Sequence, residues 1–147
     1  MTTAPAVDAR VIALAHHAPR ALLEGVLARH GITFHQSVTL RAAVVAGDSV
    51  GRDDLVDEVT GALKTDESVA RGAIEELTAA RLLEPTPADP SRLRLTDPGR
   101  DLYERTSAQS AEIAARLYAG IPEQDLATAG RVLTLITDRA NTELHQP

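Results

Sequence analysis

Apolar residues recur at helical spacing from Val11 to Leu27, with Leu14, Ala18, Leu22, Leu23 and Val26 between them, and Gly31 follows as a stop. This pattern predicts a first helix, in which Pro19 either kinks the rod or opens a second piece. Thr33 and Gln36 stand at capping-box spacing ahead of a run ending at Gly47, so a second helix is expected with Val38, Ala42 and Val45 as its buried stripe. A short helix from about Arg52 through Val59 would bury Leu55, Val56 and Val59 and turn Asp53, Asp54, Asp57 and Glu58 to water. After a turn over residues 60–64, Thr65 is a suitable N-cap for a helix whose Val69, Ala73, Ile74, Leu77 and Ala80 mark a buried side.

The period changes at Leu82. Leu82-Leu83-Glu84-Pro85, a loop rich in Pro and Asp, and the alternating Arg92-Leu93-Arg94-Leu95 predict a hairpin with a stiff tip. Alternation puts Arg92 and Arg94 on one face and Leu93 and Leu95 against the core. Thr96 can cap a long helix with Pro98 in its first turn, Leu102, Thr106, Ile113 and Leu117 on one face, and Gly120 at its end. After Pro122, Leu126, Ala129, Leu133, Ile136 and Ala140 recur at spacings of three and four, the seam of a helix that packs lengthwise on another.

Composition narrows the class. The 147 residues are 44% hydrophobic but include one Phe, two Tyr and no Trp, so one mainly α domain with an aliphatic core is expected. With no cysteine, disulfides, thiolate chemistry and Cys-ligated zinc are excluded. Met1 to Ala9 lacks the pattern of a secretion signal and no stretch has the length of a membrane span, which points to a cytoplasmic location and no membrane partner. There is no glycine-rich phosphate loop, nucleophile elbow or paired catalytic carboxylates, so neither an enzyme nor a cofactor is expected. His16 and His17 are adjacent and His30 and His35 flank a turn, so no pair has the i, i+4 spacing of metal ligands and no metal site is expected.

The order of helices and hairpin resembles that of the MarR (multiple antibiotic resistance regulator) family over nearly the whole chain. His30-Gly31-Ile32-Thr33-Phe34-His35-Gln36 is similar to the family's turn between its first two helices, and Ala79-Ala80-Arg81-Leu82-Leu83-Glu84 to the exit from its recognition helix. Leu95-Thr96-Asp97-Pro98-Gly99-Arg100 resembles the Leu-Thr-x-x-Gly string that leaves the family's wing. The chain departs from the pattern in a longer turn before the recognition helix, a shorter and more proline-rich wing, and a glycine, Gly72, in mid-helix. Either the backbone at Gly72 approaches something closely or the helix is not optimised.

The resemblance implies a winged helix-turn-helix that reads duplex DNA as a homodimer with an intertwined helical stem: helices within 1–31 and 97–147 dimerise, and 33–96 forms the DNA-binding region. Two such heads about one DNA turn apart, ~34 Å, would select a pseudo-palindromic operator. Val11, Leu14, Leu117, Leu126, Leu133 and Ile136 are the expected dimer contacts. Side chains near the N-terminal end of the recognition helix, on the side away from its buried stripe, are Ser68, Arg71, Gly72 and Glu75. Arg71 has the fork to recognise guanine, or it merely pairs with Glu67 or Glu75 at helical spacing. Thr65 and Ser68 can hold phosphate. Arg92, with Asp89 placed to buttress it, and Arg94 are minor-groove or phosphate candidates from the wing, or a solvated pair on an edge strand. Arg52 and Lys64 are further phosphate candidates. The resemblance also implies a small aromatic or anionic effector in a cleft beside His16, His17, Arg20, His35 and Arg41, and hence a ligand-responsive repressor.

Charge opposes this reading. The chain carries a formal −6, and Arg52 to Arg100 holds seven basic residues against eleven acidic ones. A winged-helix module that has lost DNA binding, and acts instead through protein or small-ligand contacts, is the alternative.

Overall fold

A computed structural model describes residues 3–146, and among them the chain forms six helices and three short strands. These are α1 (Ala9–Arg29), α2 (Phe34–Ala46), β1 (Val50–Gly51), α3 (Arg52–Leu63), α4 (Glu67–Ala79), β2 (Leu83–Pro85), β3 (Arg92–Leu95), α5 (Asp97–Tyr118) and α6 (Glu123–Leu144). Contacts divide the chain into two units, Met1–Glu112 and Ile113–Pro147. No described helix is long and apolar enough to cross a membrane.

In the first unit the core is aliphatic, as the scarcity of aromatics requires. Leu27, Leu40, Leu55, Val59, Ile74, Leu77, Leu83 and Leu93 are among its fully enclosed members. Helix α1 runs unbroken through Pro19 and is capped by the Asp8 carboxylate, which accepts from Val11 N at 2.8 Å. Of its residues only Val26 and Leu27 are buried.

The capping box of α2 forms as expected: Gln36 N donates to Thr33 Oγ1 at 3.2 Å and Thr33 N to Gln36 Oε1 at 3.0 Å. The buried stripe is different. Thr39, Leu40 and Ala43 face inward, while Val45 is 77% exposed. Thr39 can be enclosed because its hydroxyl donates to the His35 carbonyl at 2.8 Å, so a formally polar residue takes a core position.

Helix α3 buries Leu55, Val56 and Val59 as its pattern implies but continues to Leu63, so residues 60–63 are helical rather than part of a turn. Lys64 ends it in the left-handed region (φ 53°), and its ammonium donates to the Gly61 carbonyl at 2.7 Å. Asp66, not Thr65, is the N-cap of α4, since the left-handed Lys64 shifts the start by one residue. The buried face of α4 is Ala70, Ala73, Ile74 and Leu77; Val69 and Ala80 are exposed. Its phase follows the two large residues, and Ala80 already lies beyond the last turn.

The hairpin β2–β3 pairs Glu84 with Arg94 and Leu83 with Leu95, and β3 is central in a three-stranded antiparallel sheet of order β1-β3-β2. Strand β1 is missing from the sequence pattern because two residues cannot display alternation; Val50 pairs with Leu93. Leu93 and Leu95 point inward as expected.

At the exit from the sheet, Thr96 N donates to the Leu82 carbonyl (3.1 Å) and Thr96 Oγ1 donates to the Arg81 carbonyl (2.7 Å) while accepting from Gly99 N (3.0 Å). A Cβ on Gly99 would lie 2.0 Å from the Leu82 carbonyl oxygen, so only glycine fits. Arg81 occupies the left-handed region at φ 61°, where glycine is preferred after a helix end. Two substitutions in this junction should therefore act with opposite sign. Gly99→Ala is expected to lower unfolding stability by about 1–3 kcal/mol or more through overpacking, and Arg81→Gly to raise it by about 1 kcal/mol, both read from urea denaturation midpoints.

Candidate nucleic-acid interface

The buried face of α4 is fixed by Ile74 and Leu77, so its opposite side is presented to solvent. Ser68 and Glu75 are exposed there, and Arg71 and Gly72 are half-buried. Among the described residues, no atom outside the helix's own turns lies within 4 Å of where a Gly72 Cβ would stand, so no close approach among them explains this glycine. Thr65, displaced from the cap, is half-buried in the α3–α4 connection.

Arg71 is held by acids on two helices. Its Nε donates to Glu67 Oε1 at 2.8 Å, one turn earlier on α4, and Nη2 reaches Asp53 Oδ1 at 3.2 Å, on the first turn of α3. Glu67 first and Asp53 second raise the guanidinium pKa above its ordinary value. The expected Arg71–Glu67 pair therefore exists; Glu75 takes no part in it, and Asp53, which helical spacing alone could not reveal, completes it.

The wing arginines are also engaged. Arg92 Nε donates to Ser49 Oγ at 3.0 Å and Nη2 to the Ser49 carbonyl at 3.1 Å, tying β3 to the residue before β1. Arg94 pairs across the strand with Glu84 at 2.9 Å. Asp89 supports Arg92 through its backbone, accepting from Arg92 N at 3.0 Å, whereas its carboxylate takes Ser91 N (3.0 Å) and Ser91 Oγ (2.7 Å). These Ser91 bonds hold the Asp89 carboxyl below the usual carboxylate range. Arg52 opens α3 beside the wing, its N donating to the Ser91 carbonyl at 2.9 Å, and lines a cavity of about 470 Å³ with Asp54, Asp89 and Arg92.

Of the five residues expected around an effector, Arg20 and His35 both lie against Phe34, while His35 and Arg41 border different grooves. His16 and His17 are exposed on α1, with ring centroids 5.3 Å apart. The Arg20 guanidinium stacks 3.9 Å over the Phe34 ring and pairs with Glu24 at 3.3 Å. His35 borders a shallow groove with Ser68, Val69 and Gly72, and Arg41 lines a separate apolar groove of about 470 Å³ with Val45, Glu58 and Leu63. The sequence reading missed another cleft of about 340 Å³, where His30, Gln36, Glu76, Asp101 and Arg105 surround an apolar floor that includes Ile32 and Leu102. His30 Nε2 lies 3.1 Å from Gln109 Oε1, and Gln36 donates to Glu76. Only the capping role of Gln36 was visible in the sequence. Among the described residues, no three His, Cys, Asp or Glu side chains gather as metal ligands would.

Of the expected dimer contacts, Val11 is half-buried, and Leu14, Leu117, Leu126, Leu133 and Ile136 are exposed. Helix α6 has no buried residue.

No protein-family model matches the chain, and no curated protein matches it in sequence. Solved structures do. CouR from Rhodococcus jostii RHA1, bound to p-coumaroyl-CoA, superposes with TM-score 0.73 at 19% identity over 86% of this chain and 89% of its own. Wild-type MarR from E. coli in its apo form gives 0.68 at 19% identity over 91% and 98%. Ligand-free NadR gives 0.76 at 18% identity over 93% and 98%. The chain thus has the winged-helix fold of MarR-family transcriptional regulators.

Because the folded-state value of Asp89 is depressed, its carboxylate supports the wing tip above the ordinary carboxylate pKa, and that support fades as pH falls through the lower, folded value. Amide hydrogen exchange at Ser91 should accordingly quicken relative to the core on acidification below about pH 4, and Asp89→Asn should flatten that pH dependence.

Proposed function

We propose that the chain is a sequence-specific, ligand-responsive transcriptional regulator, without catalytic activity, that binds a pseudo-palindromic duplex as a homodimer. One observation carries the proposal: α4 presents its Ser68–Arg71–Glu75 side to solvent beside a preorganised wing, on a fold shared over nearly its full length with known regulators. In this reading residues 33–96 are the DNA-binding head. Arg71 contacts a base, Ser68 and Thr65 lie nearest the phosphates, and Arg52, Lys64, Arg92 and Arg94 add backbone contacts. Gly72 leaves room for close approach of the duplex.

The exposed apolar seam of α6 and the exposed Leu14 and Leu22 of α1 supply the surfaces on which a second copy would close. The cleft beside His30, Gln36 and Arg105 is a better effector candidate than the exposed histidine pair of α1. Its apolar floor, rimmed by polar side chains, suits a small ligand with an apolar body and a polar head.

A second reading is favoured by a specific feature: the cations best placed for DNA, Arg71 and Arg94, are already neutralised by Glu67, Asp53 and Glu84. A module that docks a protein or ligand would need no free cations there.

Titrating the purified protein against DNA from upstream of its own coding sequence and against random duplex, at two salt concentrations, separates the two. The regulator reading expects a specific, salt-sensitive complex that Arg71→Ala weakens by about 1–3 kcal/mol, together with a dimer in sedimentation. Equal, negligible binding to both DNAs would favour the docking module. Gly72→Ala should raise helix stability by about 0.5–1 kcal/mol while reducing DNA affinity; unchanged affinity would remove the close-approach role.

A further inference from the structure

Helix α4 carries a single cation, Arg71, and the geometry of its partners is unusual for a residue meant to meet a polyanion. Glu67 takes the Nε–Nη2 edge of the guanidinium, Asp53 takes Nη2 from the neighbouring helix, and Nη1 joins none of these bonds. Both carboxylates stand in solvent, with side-chain exposures of 62% for Glu67 and 86% for Asp53. Partner exchange therefore needs no unfolding, and the pair orients the fork without locking it.

Two kinds of acceptor would meet this arrangement differently. A phosphate approaching Arg71 also approaches Asp53 and Glu67, so its attraction to one cation is opposed by two like charges close by. A guanine edge is uncharged and offers two acceptors in the geometry of the fork. Its N7 and O6 can engage the Nη1–Nη2 end once Asp53 yields its Nη2 hydrogen, while Glu67 keeps the Nε edge.

We propose that Asp53 and Glu67 are specificity-determining residues of the head: they hold Arg71 against recruitment by phosphate alone and leave it competent for a guanine edge. This rests on the DNA-reading proposal above and goes beyond it by assigning the acidity of the head a function. Sequence discrimination is a ratio of affinities, and suppressing the non-specific member raises that ratio as surely as strengthening the specific one.

The test compares wild type with Asp53→Asn/Glu67→Gln on two probes: a 40-base-pair duplex of random sequence, and the duplex that wild type enriches from a randomised pool. The double variant is expected to bind random duplex roughly tenfold more tightly and the enriched duplex with little change, so discrimination falls. The same pair of substitutions placed on Arg71→Ala should leave discrimination unaltered. An equal gain on both probes, or no gain on either, would overturn the gate. In the free protein, modification of Arg71 by phenylglyoxal, followed by peptide mass, should be several-fold faster in the double variant. An unchanged rate alongside intact DNA binding would overturn the gate alone. Failure of wild type to enrich any duplex, with no variant binding, would remove the DNA reading and the gate together.

Discussion

Where the chain leaves the sheet, a helix end, two strands and the start of a long helix converge on one threonine. The Thr96 hydroxyl donates a hydrogen bond to the Arg81 carbonyl and accepts one from the Gly99 amide, while its own amide donates to the Leu82 carbonyl. The Leu82 carbonyl occupies space that any side chain at residue 99 would need. The direction in which α4 ends is thereby coupled to the direction in which α5 begins, with the wing clamped between. The outward aim of α4 depends on this junction, because its inner face is fixed by Ile74 and Leu77 and its far end by the bonds around Arg81.

The electrostatics of the head follow a second constraint. Between Arg52 and Arg100 eleven acidic residues outnumber seven basic ones, and Arg71 and Arg94 each find a carboxylate close by. Such exposed pairs contribute little to stability. Their larger effect is on what can approach: a surface with this excess of carboxylates attracts polyanions weakly.

Much of the fold was legible in the sequence, for reasons that also explain what was not. Strong local signals read true: the Thr33/Gln36 box, the alternation from Arg92 to Leu95, and the cap at Thr96. Errors arose where two residues of similar chemistry compete for one role, as with Thr65 and Asp66, or where a hydroxyl is satisfied by its own helix and enters the core, as with Thr39. The glycine of the Leu-Thr-x-x-Gly string was noticed as a pattern, but the carbonyl it accommodates lies on another element. The partners of the candidate site were least legible. Asp53 and Arg71 are on different helices, Ser49 and Arg92 on different strand ends, and Gln36 and Glu76 forty residues apart, so only tertiary structure pairs them.

The tip end of the wing is fastened from two sides, by the Arg92 side chain to Ser49, just before β1, and by the Arg52 amide, at the start of α3, to the Ser91 carbonyl. These three bonds resist a swing of the wing away from the body of the head. Adjustment between this head and a double helix would fall to the nucleic acid, and operators rich in pliable pyrimidine–purine steps would then be favoured over stiff ones even at base pairs that no side chain touches.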